Sequence, residues 1–550
     1  MFLGEFVMTP PLLQVQDLHI AYPAQGQALQ WAVAGVSFQV NQGDRLGLVG
    51  ESGCGKSTIG RALLQLLPRG SQVTGNATFQ TKPILNLQGE ALRHYRGEVV
   101  GLIFQDPMTR LDPLMTIGNH CLETLRCHRP DLSAQAAKQK ALETLAAVRI
   151  PENRWHQYPH EFSGGMRQRV AIALALLLDP KFIIADEPTT SLDVTVANEI
   201  LQELTRLCAE REMGLLLISH DLAMVAEYCT DIAVMHQGQI VETGPVKQIF
   251  NDPQHPYTQS LLEAALHLHS DQEISPHQEK QPILSLENLE QHYTLESNLF
   301  QRLITGQKTQ VIRAVDGINL DIYAGEILGL VGESGCGKST LSRTILQLIK
   351  PTGGRVIFAG KELNRLSVGQ MRPERRHLQM IFQDPHASLN PLMTVGENIG
   401  DPLHIHQLAT RPAVKEKVLQ MLEKVGLTPA EEYYARYPRQ LSGGQQQRVG
   451  IARALITEPR LVICDEPVSM LDASIQAQVL DLMQALKAEF NLTYLFITHD
   501  LWVAKFLCDR IAVMNQGKIV ELGQTVDIFN HPQHPYTQKL LGAAPLLHSA

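Results

Sequence analysis

No segment of this 550-residue chain is apolar for long enough to cross a membrane: the longest candidate, Val170–Leu178, runs nine residues, where a span needs about 18 or more. The opening MFLGEFVMTPPLL has no basic start and carries Glu5, so it does not read as a signal peptide. Cysteine is sparse and scattered. Its eight residues, at 54, 121, 127, 208, 229, 336, 464 and 508, form no CxxC pair, which argues against a disulfide framework and for reduced thiols in a cytosol. Positive charge is in deficit: the formal net charge of −9 gives no general attraction to nucleic acid. With 44% hydrophobic and 19% charged residues the chain is neither disordered nor tailed, and its length demands more than one core.

What is present is present twice. VGESGCGKST at 49–58 recurs letter for letter at 331–340. IFQDP at 103–107 returns at 381–385, SGG at 163–165 returns at 442–444, and QHPYTQ at 254–259 returns at 533–538. ADEP is matched by CDEP and SHDL by THDL. The loop, the glutamine and the histidine repeat at offsets of 282, 278 and 279 residues, which is a duplicated domain; solenoid repeats run about 20 to 50 residues. The sequence therefore divides into a first domain over 1–266 with a C-terminal extension at 245–266, a polar linker over 267–281, and a second domain over 282–550 with its extension at 524–550. The second copy carries about a dozen extra residues near 295–310, which read as a loop insertion. Short apolar runs such as RLGLVG, KFIIAD and GLLLIS alternate with helical stretches, the pattern of a largely parallel sheet covered by helices.

GESGCGKS at 50–57 and 332–339 fits GxxxxGK[ST], and each copy follows an apolar strand and opens a helical pattern. Gly50, Gly53 and Gly55, with their counterparts Gly332, Gly335 and Gly337, let backbone N–H groups curl around phosphates. The helix N-terminus adds positive potential. Lys56 and Lys338 reach the β/γ-phosphates, and Ser57 and Ser339 are placed to ligate Mg²⁺. The rest of each loop, Ser52, Cys54 and Thr58 and their counterparts Ser334, Cys336 and Thr340, belongs to the same nucleotide-binding turn. FIIAD and LVICD each end in an acidic pair. A carboxylate at the end of a buried strand is costly without a cation, so Asp186 and Asp465 suit Mg²⁺ and Glu187 and Glu466 suit polarising a water. Cys54 and Cys336, beside lysine and loop N–H groups, suggest acidified thiols whose alkylation blocks activity.

FSGGMRQRVAIALAL at 162–176 and LSGGQQQRVGIARAL at 441–455 resemble the signature of the ABC ATPases, and the likeness covers nearly all of both halves. It implies an α/β fold of two tandem P-loop NTPase domains, each with a RecA-like core, an antiparallel β subdomain and a helical subdomain. By position, Gln105 and Gln383 correspond to the Q-loop residue near Mg²⁺ and water, His220 and His499 to the switch histidine, and Asp193 and Asp472 to the D-loop. Tyr22 and Tyr293 resemble the aromatic that stacks on adenine. In that family each ATP lies between one loop and the opposite signature. One site would then combine Lys56, Ser57, Gln105, Asp186, Glu187 and His220 with Ser442, Gly443, Gly444 and Gln445; the other would combine Lys338, Ser339, Gln383, Asp465, Glu466 and His499 with Ser163, Gly164 and Gly165. Both sets are complete, which implies two active sites using ATP and Mg²⁺. Phe162 and Met166 depart from LSGGQ and put equal rates at the two sites in question.

Each half ends in QHPYTQ and an apolar helical stretch, by itself only a capped helix, yet similar to the extension of the oligopeptide, dipeptide and nickel importer ATPases. That resemblance implies an ATPase subunit of a peptide importer, peripheral on the cytoplasmic face of the inner membrane, with two transmembrane permease subunits and a solute-binding protein as partners. DPMTRLDPLMTIG and DPHASLNPLMTVG, after the two glutamines, are then the docking segments for the permeases. A soluble tandem ATPase working on ribosomes or DNA is the alternative. The short linker, absent CxxC, negative charge and repeated HPYT weigh against it.

Overall fold

The computed structural model describes residues 10–23, 30–106, 110–190, 192–267, 281–295 and 310–544. Nearly all of the insertion near 295–310 and of the linker at 267–281 lies outside the described residues. The chain divides into two compact units between Ala265 and Leu266.

A strand covered on both faces reads as an unbroken apolar run, and FIIAD and GLLLIS are buried at every position. In the first unit the strands are β1 (Leu13–Tyr22), β2 (Gln30–Val40), β3 (Arg45–Val49), β4 (Gln72–Phe79), β5 (Lys82–Pro83), β6 (Val100–Ile103), β7 (Phe182–Asp186), β8 (Gly214–Ser219), β9 (Asp231–His236) and β10 (Gln239–Pro245). They form an antiparallel sheet ordered β2-β1-β4-β5 and a six-stranded sheet ordered β10-β9-β3-β8-β7-β6. The latter is parallel except for its edge strand β10. Helix Lys56–Leu63 follows β3 directly, and its Ile59 and Leu63 join Leu18, Val33, Phe79 and Phe182 in one core between the two sheets. The opposite face is covered by helices Gly164–Leu176, Val194–Glu210 and Leu222–Tyr228. A helical layer of Ile117–His128 and Ala134–Ala147 continues that core through Trp155.

The second unit repeats the plan with β11 (Pro282–Leu295), β12 (Gln310–Tyr323), β13 (Ile327–Val331), β14 (Gly353–Phe358), β15 (Lys361–Glu362), β16 (Leu378–Ile381), β17 (Leu461–Asp465), β18 (Thr493–Thr498), β19 (Arg510–Asn515) and β20 (Lys518–Gln524). Its sheets are ordered β12-β11-β14-β15 and β16-β17-β18-β13-β19-β20. Each unit thus has the parallel core, the antiparallel sheet and the helical layer that the sequence implies. Each closes with two short helices, Val246–Asn251 and Pro256–His267 in the first, Thr525–Asn530 and Pro535–Gly542 in the second. Among the described residues no helix is long and apolar enough to cross a membrane.

Candidate functional site

In both units the glycine-rich loop joins the central strand, β3 or β13, to the helix behind it. Gly50 and Gly332 sit at φ 150 and 156, and a Cβ there would stand 2.0 Å from Met235 O or 2.2 Å from Met514 O, so only glycine fits against the neighbouring strand. Gly55 and Gly337, which open the helices at φ 107 and 113, are crowded in the same way: a Cβ would lie 2.5 Å from Ala32 O or 2.0 Å from Ala314 O. The loop glycines do not all serve one purpose. Gly53 and Gly335, both at φ 82, have nothing within 4 Å of a Cβ, so space does not require glycine there and only the left-handed backbone does.

The two lysines are buried inside the turn. Lys56 Nζ donates to Gly50 O at 2.6 Å and Glu51 O at 2.8 Å; Lys338 Nζ donates to Gly332 O at 2.6 Å and Glu333 O at 3.0 Å. An ammonium satisfied by carbonyls at the loop mouth is a cation ready to exchange them for phosphate oxygens.

At the foot of each loop the serine hydroxyl donates to the strand-end aspartate: Ser57 Oγ to Asp186 Oδ1 at 2.6 Å, Ser339 Oγ to Asp465 Oδ1 at 3.3 Å. Both aspartates are buried. Burial is the main force pushing each carboxyl above the ordinary aspartate value, and the adjacent glutamate adds to it. A buried carboxylate and a hydroxyl are oxygen donors of the kind a hard divalent cation takes, with water and phosphate completing its shell. Among the described residues no group of three His, Cys, Asp or Glu is arranged to hold a metal ion by itself.

The next residue behaves oppositely. Burial pushes Glu187 up, but hydrogen bonding and charge from His220, with Thr190 and Lys56, outweigh it and hold the carboxyl below the usual range. Glu466 is held down likewise by His499 and Lys338. Gln105 Nε2 donates to Glu187 Oε2 at 2.7 Å and Gln383 Nε2 to Glu466 Oε2 at 2.8 Å; His220 Nδ1 and His499 Nδ1 lie 3.4 and 3.2 Å from the other carboxylate oxygen. Burial lowers His499 but the Glu466 carboxylate wins and raises it. Adjacent carboxyls driven apart in this way suit different tasks, one beside a cation and one as a base. The histidines stand where β8 or β18 turns into a helix capped by the following residue: Asp221 accepts from Met224 N, and Asp500 from Trp502 N and Val503 N.

The signature serines cap their helices. Ser163 Oγ accepts from Met166 N at 3.4 Å. Ser442 Oγ accepts from Gln445 N at 3.3 Å while Gln445 Oε1 accepts from Ser442 N at 3.0 Å, a reciprocal capping box that Met166 cannot make. The second glycine of each SGG is dictated by close approach: a Cβ on Gly165 or Gly444 would meet Val196 at 2.3 Å or Ile475 at 2.6 Å, on the helix after the D-loop. Asp193 caps that helix through Val196 N at 3.0 Å, whereas Asp472 makes no side-chain cap. Tyr22 OH lies 3.0 Å from Thr58 Oγ1, beside the first loop, and Tyr293 is exposed.

In the second loop the expected acidified thiol is not found: Cys336 is buried, and burial outweighs the pull of Lys338, so its thiol is raised. Cys54 is buried as well. Two features escaped the sequence. Thr190 Oγ1 donates to Glu187 Oε2 at 3.0 Å. The tyrosine of each QHPYTQ accepts from the backbone of the phosphate loop, Tyr257 OH from Glu51 N at 3.2 Å and Tyr536 OH from Glu333 N at 3.1 Å. The signal available for the second was that loop and motif are both duplicated and keep nearly the same separation.

The family model for ABC transporters matches residues 33–190 and 315–469, and that for the oligopeptide/dipeptide transporter C-terminal region matches 241–291 and 520–550. The glutathione import ATP-binding protein GsiA of Shigella dysenteriae serotype 1 (strain Sd197) is 42% identical over 97% of this chain and 90% of its own length. GsiA of Pectobacterium atrosepticum matches at the same identity and coverage. A solved dimeric post-hydrolysis state of the ATP-binding cassette MJ0796 bound to ADP and Pi aligns with 44% of this chain and 98% of its own, at 31% identity and a TM-score of 0.39. Two copies of the family domain over more than half the chain, and relatives 42% identical over 97% of it, identify this protein as an ATPase of the ABC transporter family that carries two ATP-binding cassettes in one polypeptide.

Proposed function

We propose that this chain is the ATP-hydrolysing subunit of an importer for short peptides, with glutathione, itself a tripeptide, the first substrate to test. The observation that carries the reading is that both halves end in the oligopeptide-type extension and both hold a full set of loop, carboxylate pair, glutamine and histidine. Bound at Ser57, Gln105 and Asp186, and at Ser339, Gln383 and Asp465, Mg²⁺ would neutralise phosphate charge. Glu187 and Glu466 take the proton of the attacking water, Gln105 and Gln383 hold that carboxylate in place, and His220 and His499 bind its far oxygen and face the γ-phosphate. Lys56 and Lys338 bind the β/γ-phosphates, the turns at Gly53, Gly55, Gly335 and Gly337 aim backbone N–H groups at them, and the serines and glycines at 163–165 and 442–444, with Gln445, serve the nucleotide of the opposite half. ATP-driven closure of the two halves and its release on hydrolysis then drive the membrane partners.

Those partners are two permeases and a solute-binding protein, with this chain peripheral on the inner face of the membrane. Leu114 and Leu392, both 86% exposed, stand at equivalent places after the two glutamines. Each sits on a turn built from within, Leu114 N donating to Asp112 Oδ1 at 2.9 Å and Leu392 N to Asn390 Oδ1 at 3.1 Å, which supports a preformed docking knob. The test is uptake of labelled glutathione and of labelled dipeptides in cells carrying the wild type or the Lys56→Ala/Lys338→Ala variant. Loss of either uptake in the variant is expected; undiminished uptake of both overturns the peptide reading.

A further inference from the structure

The two ends of a peptide bond lie in one rigid plane, so whatever grips its C=O and its N–H together fixes its orientation. The Gly50–Glu51 peptide is gripped at both ends. Gly50 O accepts from Lys56 Nζ at 2.6 Å, and Glu51 N donates to Tyr257 OH at 3.2 Å. The second unit repeats this with Gly332 O and Lys338 Nζ at 2.6 Å, and Glu333 N and Tyr536 OH at 3.1 Å. The phenol comes from far along the chain, 206 residues away in one unit and 203 in the other.

The tyrosine is itself held firmly. Glu242, on β10, accepts from Gln254 N at 2.8 Å and His255 N at 3.1 Å, and His255 Nδ1 accepts from Tyr257 N at 3.1 Å. Glu521, Gln533 N, His534 N and Tyr536 N repeat that arrangement at 2.8, 3.0 and 3.1 Å. In the first unit the His236 ring also stacks on Tyr257, centroids 3.9 Å apart. The extension is thus a strut running from the sheet edge to the phosphate loop.

We propose that Tyr257 and Tyr536 are positioning residues of the two ATP sites, holding the first peptide of each phosphate loop through ATP binding. The lysine has three N–H donors, two of them given to loop carbonyls, and reaching for phosphate draws it away from those carbonyls and weakens its hold on them. The carbonyl end of the plane is then held less firmly and lies near an anion, which favours turning the peptide over. The tyrosine end still holds it, so the loop N–H groups keep the arrangement that cradles phosphate. Removing the hydroxyl takes one hydrogen bond from that backbone N–H, a loss felt in affinity rather than in the chemical step.

The experiment uses the full chain with Tyr257→Phe/Tyr536→Phe, which keeps the ring packing and removes only the hydroxyls. The expected result is a KM for ATP and a Kd for a fluorescent ATP analogue about 3- to 10-fold higher, with kcat within about twofold and a melting temperature lowered by no more than a few degrees, so that the chain stays folded throughout the assay. Native KM and Kd in the Phe variant overturn the proposal. So does a pattern in which only Tyr257→Ala/Tyr536→Ala weakens ATP while the Phe variant matches wild type, because the ring would then be acting by packing. The inference rests on ATP occupying the two loops, which Lys56→Ala/Lys338→Ala tests separately: undiminished ATP affinity in that variant removes the loops themselves from the site.

Discussion

Glu187 and Glu466 carry the backbone at φ 46 and 47, a region that costs a non-glycine residue about 1 kcal/mol or more. The surroundings impose it. Each backbone N–H is pinned to the neighbouring strand, Glu187 N to Ile218 O and Glu466 N to Ile497 O at 2.9 Å, while the carboxylate is gripped by glutamine and histidine. Hydrogen bonding and charge from His220 and His499 hold the glutamates below the usual range against burial, while burial and the neighbouring glutamate raise the adjacent aspartates. Glu187→Gln/Glu466→Gln keeps shape and removes the base, so phosphate release should fall by a factor of about 10² or more, and either single variant should lose at least half the rate. A double variant that still turns over at more than about a tenth of the wild-type rate would remove both glutamates from the base role.

The signature helices show how one side chain separates two otherwise repeated elements. Gln445 closes the capping box on Ser442 and also donates to Tyr433 OH at 3.1 Å, where Met166 offers no such donor. Gln445→Met should therefore cost about 1 kcal/mol, seen in a melting scan as a drop of about 2–4 °C in the transition of the second unit. The extensions add a pH dependence. Burial raises Glu242, but the backbone N–H groups of Gln254 and His255 outweigh it and hold its carboxyl below the usual range; Glu521 is held down by Gln533 and His534 in the same way. A depressed carboxyl contributes stability that is fully present above the unfolded value, about 4.3, and is lost as pH falls through the folded one. The melting-temperature gap between wild type and Glu242→Gln/Glu521→Gln should stay flat above about pH 5 and shrink in more acid solution. A gap that widens on acidification would contradict this. These elements were only half legible beforehand. Apolar runs ending in DE and a glycine loop opening a helix are local patterns, so strands, loops and carboxylates could be placed. The grip of Tyr257 on Glu51 and the insertion of β3 between β8 and β9 join segments far apart in the chain, which no local pattern encodes.

Duplication is what made the chain readable as one machine, because every feature could be checked against its copy. It also exposes where the copies differ: Met166 against Gln445, Thr190 against Ser469, His236 against Asn515. Ser469 Oγ donates to the backbone Glu466 O at 3.2 Å, while Thr190 reaches the Glu187 carboxylate, so the two glutamates are held by different sets of hydrogen bonds. Cys336 carries the complementary lesson that proximity to lysine was visible in the letters and burial was not. None of the differences removes a phosphate-facing group, so both cassettes should bind ATP. Equilibrium binding of radiolabelled ATP to the Glu187→Gln/Glu466→Gln variant with Mg²⁺ counts the sites directly: saturation at about two ATP per chain is expected, and saturation at one would contradict a pair of working sites.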